Sequence, residues 1–235
     1  MSNIARISGP DVNSDLRELI TIDSGQVPWD STGLPGLSAK VFERISAGQA
    51  ARETALLRMD PRTTVPGGIA HFRIDMLVLA GSVELRGVHH AAGMFMRVPV
   101  GTEVDLHSVE GATVLVKKRG GPSSGEPIAL DTHDRANWAA WGGRGSEKAQ
   151  LYDAGLLPEA SWVGYMLPDL TIPEHDHAGG EEIFILDGEL RDERGLYGPG
   201  VWIRFPVGLR HTPTSLAEGC RMMVREGDAH PLPYR

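Results

Sequence analysis

Side chains able to bind a metal ion are concentrated in residues 173–188 of the 235-residue chain, Pro-Glu-His-Asp-His-Ala-Gly-Gly-Glu-Glu-Ile-Phe-Ile-Leu-Asp-Gly. His175 and His177 are two apart, and Glu181 has the same parity beyond a Gly-Gly pair. On a β-strand, residues of one parity share a face, so the spacing predicts two imidazoles and a carboxylate projecting together. A third imidazole, His211, follows the turn Pro206-Val207-Gly208-Leu209-Arg210. Together His175, His177, Glu181 and His211 make a ligand set for a divalent ion. Glu182 is the rival carboxylate. Parity favours Glu181 and turns Glu182 away, toward a salt bridge, unless a bulge at the Gly-Gly pair resets the alternation.

Three neutral imidazoles and one carboxylate would leave a divalent ion with a net charge near +1 and one or two open positions. Two His and a carboxylate match the facial set of non-haem iron oxygenases, with the third His taking one more position. An open position on such an ion can chelate a 1,2-dioxygen substrate or acidify a bound water. Zinc, manganese, nickel and copper accept the same donors, and four ligands could also close a tetrahedral structural zinc. The lone cysteine, Cys220, excludes a Cys-rich zinc module and an intramolecular disulfide. It reads as a small buried apolar side chain.

The elements that must position these ligands read as β. Glycine (29) and proline (16) are frequent and fall between short apolar runs, as in sandwiches and barrels. Strands are expected at Val41–Ile45, Thr54–Met59, Met76–Leu79, Met94–Val98 and Ala112–Val116, and one or two helical turns at Asp15–Ile20 behind an Asn13 or Ser14 cap. A formal charge of −8 argues against general affinity for nucleic acid or anionic membrane. Without an apolar leader or a membrane-spanning window, the expected location is cytoplasmic.

The chain repeats itself. Pro66 and Pro173 stand 107 positions apart, and the same offset pairs Gly36 with Gly143, Gly48 with Gly155, Pro61 with Pro168, Gly81 with Gly188 and Gly93 with Gly200. Arg97, Pro99, Val100 and Gly101 likewise match Arg204, Pro206, Val207 and Gly208, and the register is read without gaps from 36–120 onto 143–227. Such periodicity implies two copies of one β unit. At the ligand positions the first copy has Gly68, Ala70, Ile74 and Val104, so it is expected to keep the scaffold without the metal. His71 and Asp75 could imitate His177 and Glu181 only through a one-residue slip, which turns side chains to the other face. His89, His90 and His107 read as solvated turn or strand-end residues. Arg204, matched by Arg97, reads as one half of an ion pair between strands. The Gly-, Pro- and Ser-bearing run 117–127 marks a join. The expected divisions are an N-terminal segment 1–25, a metal-free unit 26–118, a linker 119–136 and a metal-binding unit 137–235.

The second copy resembles a cupin. The first cupin motif, G-x5-H-x-H-x3,4-E-x6-G, is met by His175, His177, Glu181 and Gly188, without its leading glycine. The second, G-x5-P-x-G-x2-H-x3-N, is met by Gly200, Pro206, Gly208 and His211, with Ser215 in place of the Asn. The run His-x-His-x-Gly-Gly-Glu-Glu and the later Asp192-Glu193-Arg194-Gly195 and Gly219-Cys220 are similar to the ChrR-like cupins. The resemblance implies an all-β chain of two tandem antiparallel jelly-roll barrels with few short helices, and one divalent metal, Fe(II) before zinc, manganese, nickel or copper. It further implies a dioxygenase acting on a small carbonyl or phenolic compound, with no nucleic-acid or membrane partner, and a homodimer by analogy. The alternatives are a zinc-binding regulatory cupin without catalysis, or an isomerase, lyase or hydrolase on the same site. An anti-sigma role is disfavoured, because no Cys precedes Cys220. Trp162, Tyr165, Phe184 and Trp202 are candidate pocket-lining residues, each equally readable as core.

Overall fold

A computed structural model describes residues 4–46, 48, 51–120, 126–141, 145–153 and 159–227. In chain order the strands are β1 (Ile20–Asp23), β2 (Asp30–Ser31), β3 (Leu37–Ile45), β4 (Arg52–Met59), β5 (Thr63–Ile69), β6 (Arg73–Leu85), β7 (Val88–Ala91), β8 (Met94–Val98) and β9 (Glu103–Ser108). They continue as β10 (Ala112–Arg119), β11 (Ile128–Asp131), β12 (Trp138–Trp141), β13 (Ser146–Asp153), β14 (Ala160–Met166), β15 (Glu181–Arg191), β16 (Leu196–Tyr197), β17 (Val201–Phe205) and β18 (Thr214–Glu226). Every pairing is antiparallel. The fold is all-β, and the five strands expected from the sequence fall inside β3, β4, β6, β8 and β10.

Two compact units result. The first orders its main sheet β11-β8-β6-β10-β4-β3-β2, and the second orders its sheet β1-β17-β15-β18-β14-β13-β12. β1 and β11 therefore sit in sheets that the sequence did not assign to them. β1 lies in the chain between two segments of the first unit but pairs with β17, Ile20 opposite Arg204, in the second unit. β11 pairs with β8, Ile128 opposite Arg97, in the first. Thus 15–27 groups with the second unit and 128–131 with the first, where the sequence suggested a separate N-terminal segment and a linker. Both are four-residue strands, too short for their alternation to stand out. The linker residues 121–125, and the repeat glycines Gly143 and Gly155, lie outside the described residues.

The expected helix at Asp15–Ile20 is a single turn, closed by the Glu18 N–H donating to the Asp15 carbonyl (3.2 Å). The Asp15 carboxylate accepts from the Arg17 N–H at 3.0 Å, a local bond that competes with helix propagation, and at Ile20 the chain enters the β17 ladder. Among the described residues the only helical segment is the three-residue 3-10 turn Arg135–Asn137, and none is long and apolar enough to cross a membrane.

The repeat is visible in strand register, with one correction. β8 and β17 coincide at an offset of 107. Val78, however, faces Val114, while its counterpart Ile185 faces Met222, an offset of 108. The irregular stretch Ser215–Gly219 of β18 is one residue longer than Ser108–Gly111, so Val116 corresponds to Val224 rather than to Met223. Gly81 and Gly188 hold the same left-handed conformation, φ +68° and +70°. A Cβ there would come within 2.0 and 2.1 Å of the carbonyl oxygens of Gly111 and Gly219, so close backbone approach demands glycine at both.

The alternate faces of the strands bury separate cores. Ala70, Ile74, Val98, Val104 and Val116 belong to the first; Trp162, Ile183, Phe205, Cys220 and Val224 belong to the second. On the other face of the first unit, the Arg97 guanidinium donates two hydrogen bonds of 2.7 Å to the Asp75 carboxylate, both side chains buried. Asp75 is thus an ion-pair residue. It corresponds to Glu182, which lies opposite Arg204 in the β15–β17 ladder just as Asp75 lies opposite Arg97. His90 departs from expectation: it is 5% exposed, not solvated.

Candidate metal centre

The ligand stretch is built differently from the strand that its spacing suggested. Residues 173–180 carry a single bridge, at His175, and β15 begins only at Glu181. His175 and His211 face each other through reciprocal backbone bonds of 3.1 and 2.9 Å. The His177 carbonyl accepts from the N–H groups of Gly180 (3.0 Å) and Gly208 (3.2 Å), which ties the Gly-Gly turn to the turn before His211. Gly180 has φ +72°, a conformation suited to glycine. Convergence thus comes from a turn and a bridge, with strand parity fixing only Glu181.

The four side chains meet. His211 Nε2 lies 3.2 Å from His175 Nε2 and 3.4 Å from His177 Nε2. The Glu181 carboxylate lies 3.5 Å from His177 Nε2 and 3.6 Å from His211 Nε2. His175 Nδ1 lies 2.8 Å from the Pro173 carbonyl, which can only accept. Its proton therefore sits on Nδ1, and Nε2 of the neutral ring presents a lone pair. Burial, then the neighbouring His175, holds both His177 and His211 at about 4, so both are neutral near pH 7. The neutral His211 ring can donate from Nε2 to a neighbouring ring, or all three nitrogens can turn their lone pairs on one cation. Nitrogens about 2.1 Å from one ion stand about 3.0 Å apart at a right angle and about 3.4 Å at the tetrahedral angle, and the observed separations lie in that range. Glu181 is buried, and its Oε2 has no hydrogen-bond partner among the described residues. Burial and then Glu226 push its carboxyl well above the usual carboxylate range. These residues fit a divalent cation, which would ionise Glu181 and satisfy it.

Glu226, which has no place in the sequence-derived ligand set, completes the cluster. It faces Glu181 in the β15–β18 ladder, and its Oε1 lies 3.7 Å from His177 Nδ1. Burial raises its carboxyl, while Lys148 and a hydrogen bond from Trp162 lower it. His175, His177 and His211 form one group of ligand type, and His177, Glu181 and Glu226 form a second that shares only His177 with it. Parity along β15 and β18 was the signal available for it, since both strands end on this face. The Lys148 ammonium lies 5.5 Å from the Trp162 ring centroid, and Phe205 packs on His211 at 4.5 Å.

Of the four candidate lining residues, Trp162 reaches this interior. It shares the core cluster of Ile183, Phe205 and Cys220, and it meets Trp141 at 4.5 Å. Phe184, Trp202 and Tyr165 are an odd number of residues from Glu181, Phe205 and Trp162 along their strands, so they project from the other face. Tyr165 packs instead over Gly219. Cys220 is buried, and burial pushes its thiol up to about 12, consistent with an inert core side chain. The Arg204 guanidinium donates to the Asp15 carbonyl at 2.7 Å, a structural role.

Residues 127–230 match the family model of the ChrR Cupin-like domain. A comparison with curated proteins returned no match. Among solved structures, the chain is similar to a "putative dioxygenase" from Nostoc punctiforme (16% identity, 93% of this chain and 87% of that one, TM-score 0.73). It is also similar to the "putative glyoxylate induced protein" of Pseudomonas aeruginosa (13% identity, 98% and 97%, TM-score 0.75). A third likeness is to a cupin 2 conserved barrel domain protein from Leptotrichia buccalis (9% identity, 88% and 95%, TM-score 0.64). At these identities the likeness establishes the fold alone, and the similarity to the ChrR Cupin-like domain is confined to residues 127–230.

Proposed function

We propose that the chain is a metal-dependent bicupin enzyme with one divalent ion per chain, held by His175, His177, Glu181 and His211 in the second unit. We favour a non-haem Fe(II) dioxygenase acting on a small carbonyl or phenolic compound. The observation that carries the metal is the convergence on His211 Nε2, within 3.6 Å, of two further imidazole nitrogens and a buried carboxylate oxygen with no hydrogen-bond partner among the described residues. The dioxygenase reading is supported by the mixed His and carboxylate donor set and by the Nostoc neighbour.

A bound divalent ion would supply Lewis acidity and, as Fe(II), electrons for reaction with O2. The protein's own contribution is orientation and dryness. Pro173 fixes the His175 tautomer, Glu226 stands against His177 Nδ1, and the Trp162 hydrogen bond steadies Glu226. Such partners hold a ligand ring and raise its basicity. Phe205, Cys220 and Met222 supply a buried apolar wall that limits water.

Metal analysis of protein purified without added metal, followed by oxygen uptake with diketones and hydroxy-aryl ketones, tests this reading. Stoichiometric iron with uptake is expected. Zinc with no turnover would sink the dioxygenase and leave the second reading, a metal-binding regulatory cupin, which the ChrR-like family match favours.

A further inference from the structure

The first unit contains a cavity of about 370 Å³ between the β6–β7 hairpin and strands β8 and β11, within the usual range of small-molecule pockets, about 300–1,000 Å³. Leu85, Val88, Met96 and Ile128 supply apolar lining, and His90 and Arg86 supply the polar part. His90 is 5% exposed, yet its ring has no hydrogen-bond partner among the described residues, and its Nδ1 is buried. Buried polar groups are rarely left in that state. The Arg86 guanidinium, on the exposed turn between β6 and β7, likewise has no carboxylate partner among the described residues. Arg97, also at the cavity, is already neutralised by Asp75.

The second unit shows what the same hairpin does when it closes. His90 faces Val83 in the ladder as Tyr197 faces Leu190, so His90 and Leu85 occupy the positions of Tyr197 and Asp192. There the Tyr197 hydroxyl donates to Asp192 at 2.8 Å, satisfying both groups internally. In the first unit a shorter ring faces a leucine, and the polar group is left for something else to satisfy.

We propose that this cavity binds a small amphiphilic monocarboxylate, its carboxylate on Arg86 and His90 and its apolar body against Leu85, Val88, Met96 and Ile128. One guanidinium and one neutral imidazole N–H offer a single formal charge and suit a monoanion. The site shares no residue with the metal cluster, so it stands independently of the metal-dependent reading.

The full-length protein would be titrated by calorimetry with hexanoate and benzoate, and with hexanol as a body without charge. One carboxylate per chain is expected. Hexanol should bind about tenfold more weakly, because its hydroxyl cannot form charge-assisted hydrogen bonds of carboxylate strength. Arg86→Gln and His90→Phe should each weaken hexanoate about tenfold. Leu85→Asp with His90→Tyr, which imports the pair of the second unit, should abolish binding. His175→Ala with His211→Ala should leave it unchanged. Equal affinity for hexanol and hexanoate, or unchanged binding in Arg86→Gln, a surface change expected to fold normally, would overturn the proposal. So would loss of binding in the His175→Ala, His211→Ala variant, which would place the ligand at the metal cluster.

Discussion

Residues 66–81 and 173–188 occupy matching places in the two units and differ in almost every side chain that matters. Gly68 faces Val104 across one ladder as His175 faces His211 across the other. Ile74 stands against Val98 and Lys118 as Glu181 stands against Phe205 and Glu226. Ala55 holds the place of Trp162. Ala70, Ile74 and Val104 fill with apolar core the register that imidazoles and carboxylates occupy in the second unit, while Lys118 turns to Glu53 at 2.8 Å. Backbone and chemistry are therefore separable. Turn glycines and ladder register maintain the frame, and a handful of substitutions decides whether its interior is an apolar core or a cluster of imidazoles and carboxylates.

The comparison can be broken most forcefully at the scaffold. Asp75→Ala leaves the Arg97 charge buried without its carboxylate, and loss of one partner in such a pair costs about 3–5 kcal/mol. Urea unfolding should show that loss, with metal content per folded chain unchanged. Next, His175→Ala or His211→Ala should weaken metal binding by more than the roughly 10–100-fold that loss of an outer-sphere partner costs, with circular dichroism preserved. If either variant unfolds, the metal is structural, and two metals per chain would show that the first unit is not the apolar copy described above.

A smaller effect sharpens the role of Glu226. Glu226→Gln keeps the shape but removes the charge near His177 Nδ1, and metal affinity measured by competition with a chromophoric chelator should fall about 10–100-fold. No change would make Glu226 a bystander. The gentlest test is pH. His177 and His211, held at about 4 by burial, are neutral throughout the range above about pH 5. Glu181, raised by burial and Glu226, keeps its proton beyond the usual carboxylate range and must release it to bind metal. Affinity should therefore rise with pH until Glu181 ionises unaided. Glu181→Gln should remove about one proton from the release, measured calorimetrically in buffers of different ionisation enthalpy. An unaltered proton count would mean that Glu181 is not a ligand.

Much of the site was legible because its ligands lie in two short runs whose spacing survives any change of local structure. Parity selected Glu181, and although 173–180 is a turn and a bridge, the Gly180 turn hands the chain to β15 with Glu181 facing the imidazoles. Glu226 was missed because it belongs to neither motif run and becomes a neighbour of Glu181 only through the β15–β18 pairing. Half-right pocket residues have the same origin: aromatic type is visible in a sequence, but face depends on register, which put Trp162 inward and Phe184 and Trp202 outward.

The sequence by itself determined the all-β class, the repeat, and which copy carries the donor side chains His175, His177, Glu181 and His211, since glycine spacing and donor chemistry are local properties. Only the tertiary structure decided where β1 and β11 pair, where the repeat gains a residue, which carboxylate backs His177, and that His90 is buried. Each of these depends on which strand edge lies within hydrogen-bonding distance, and that is set by the closure of the sheets.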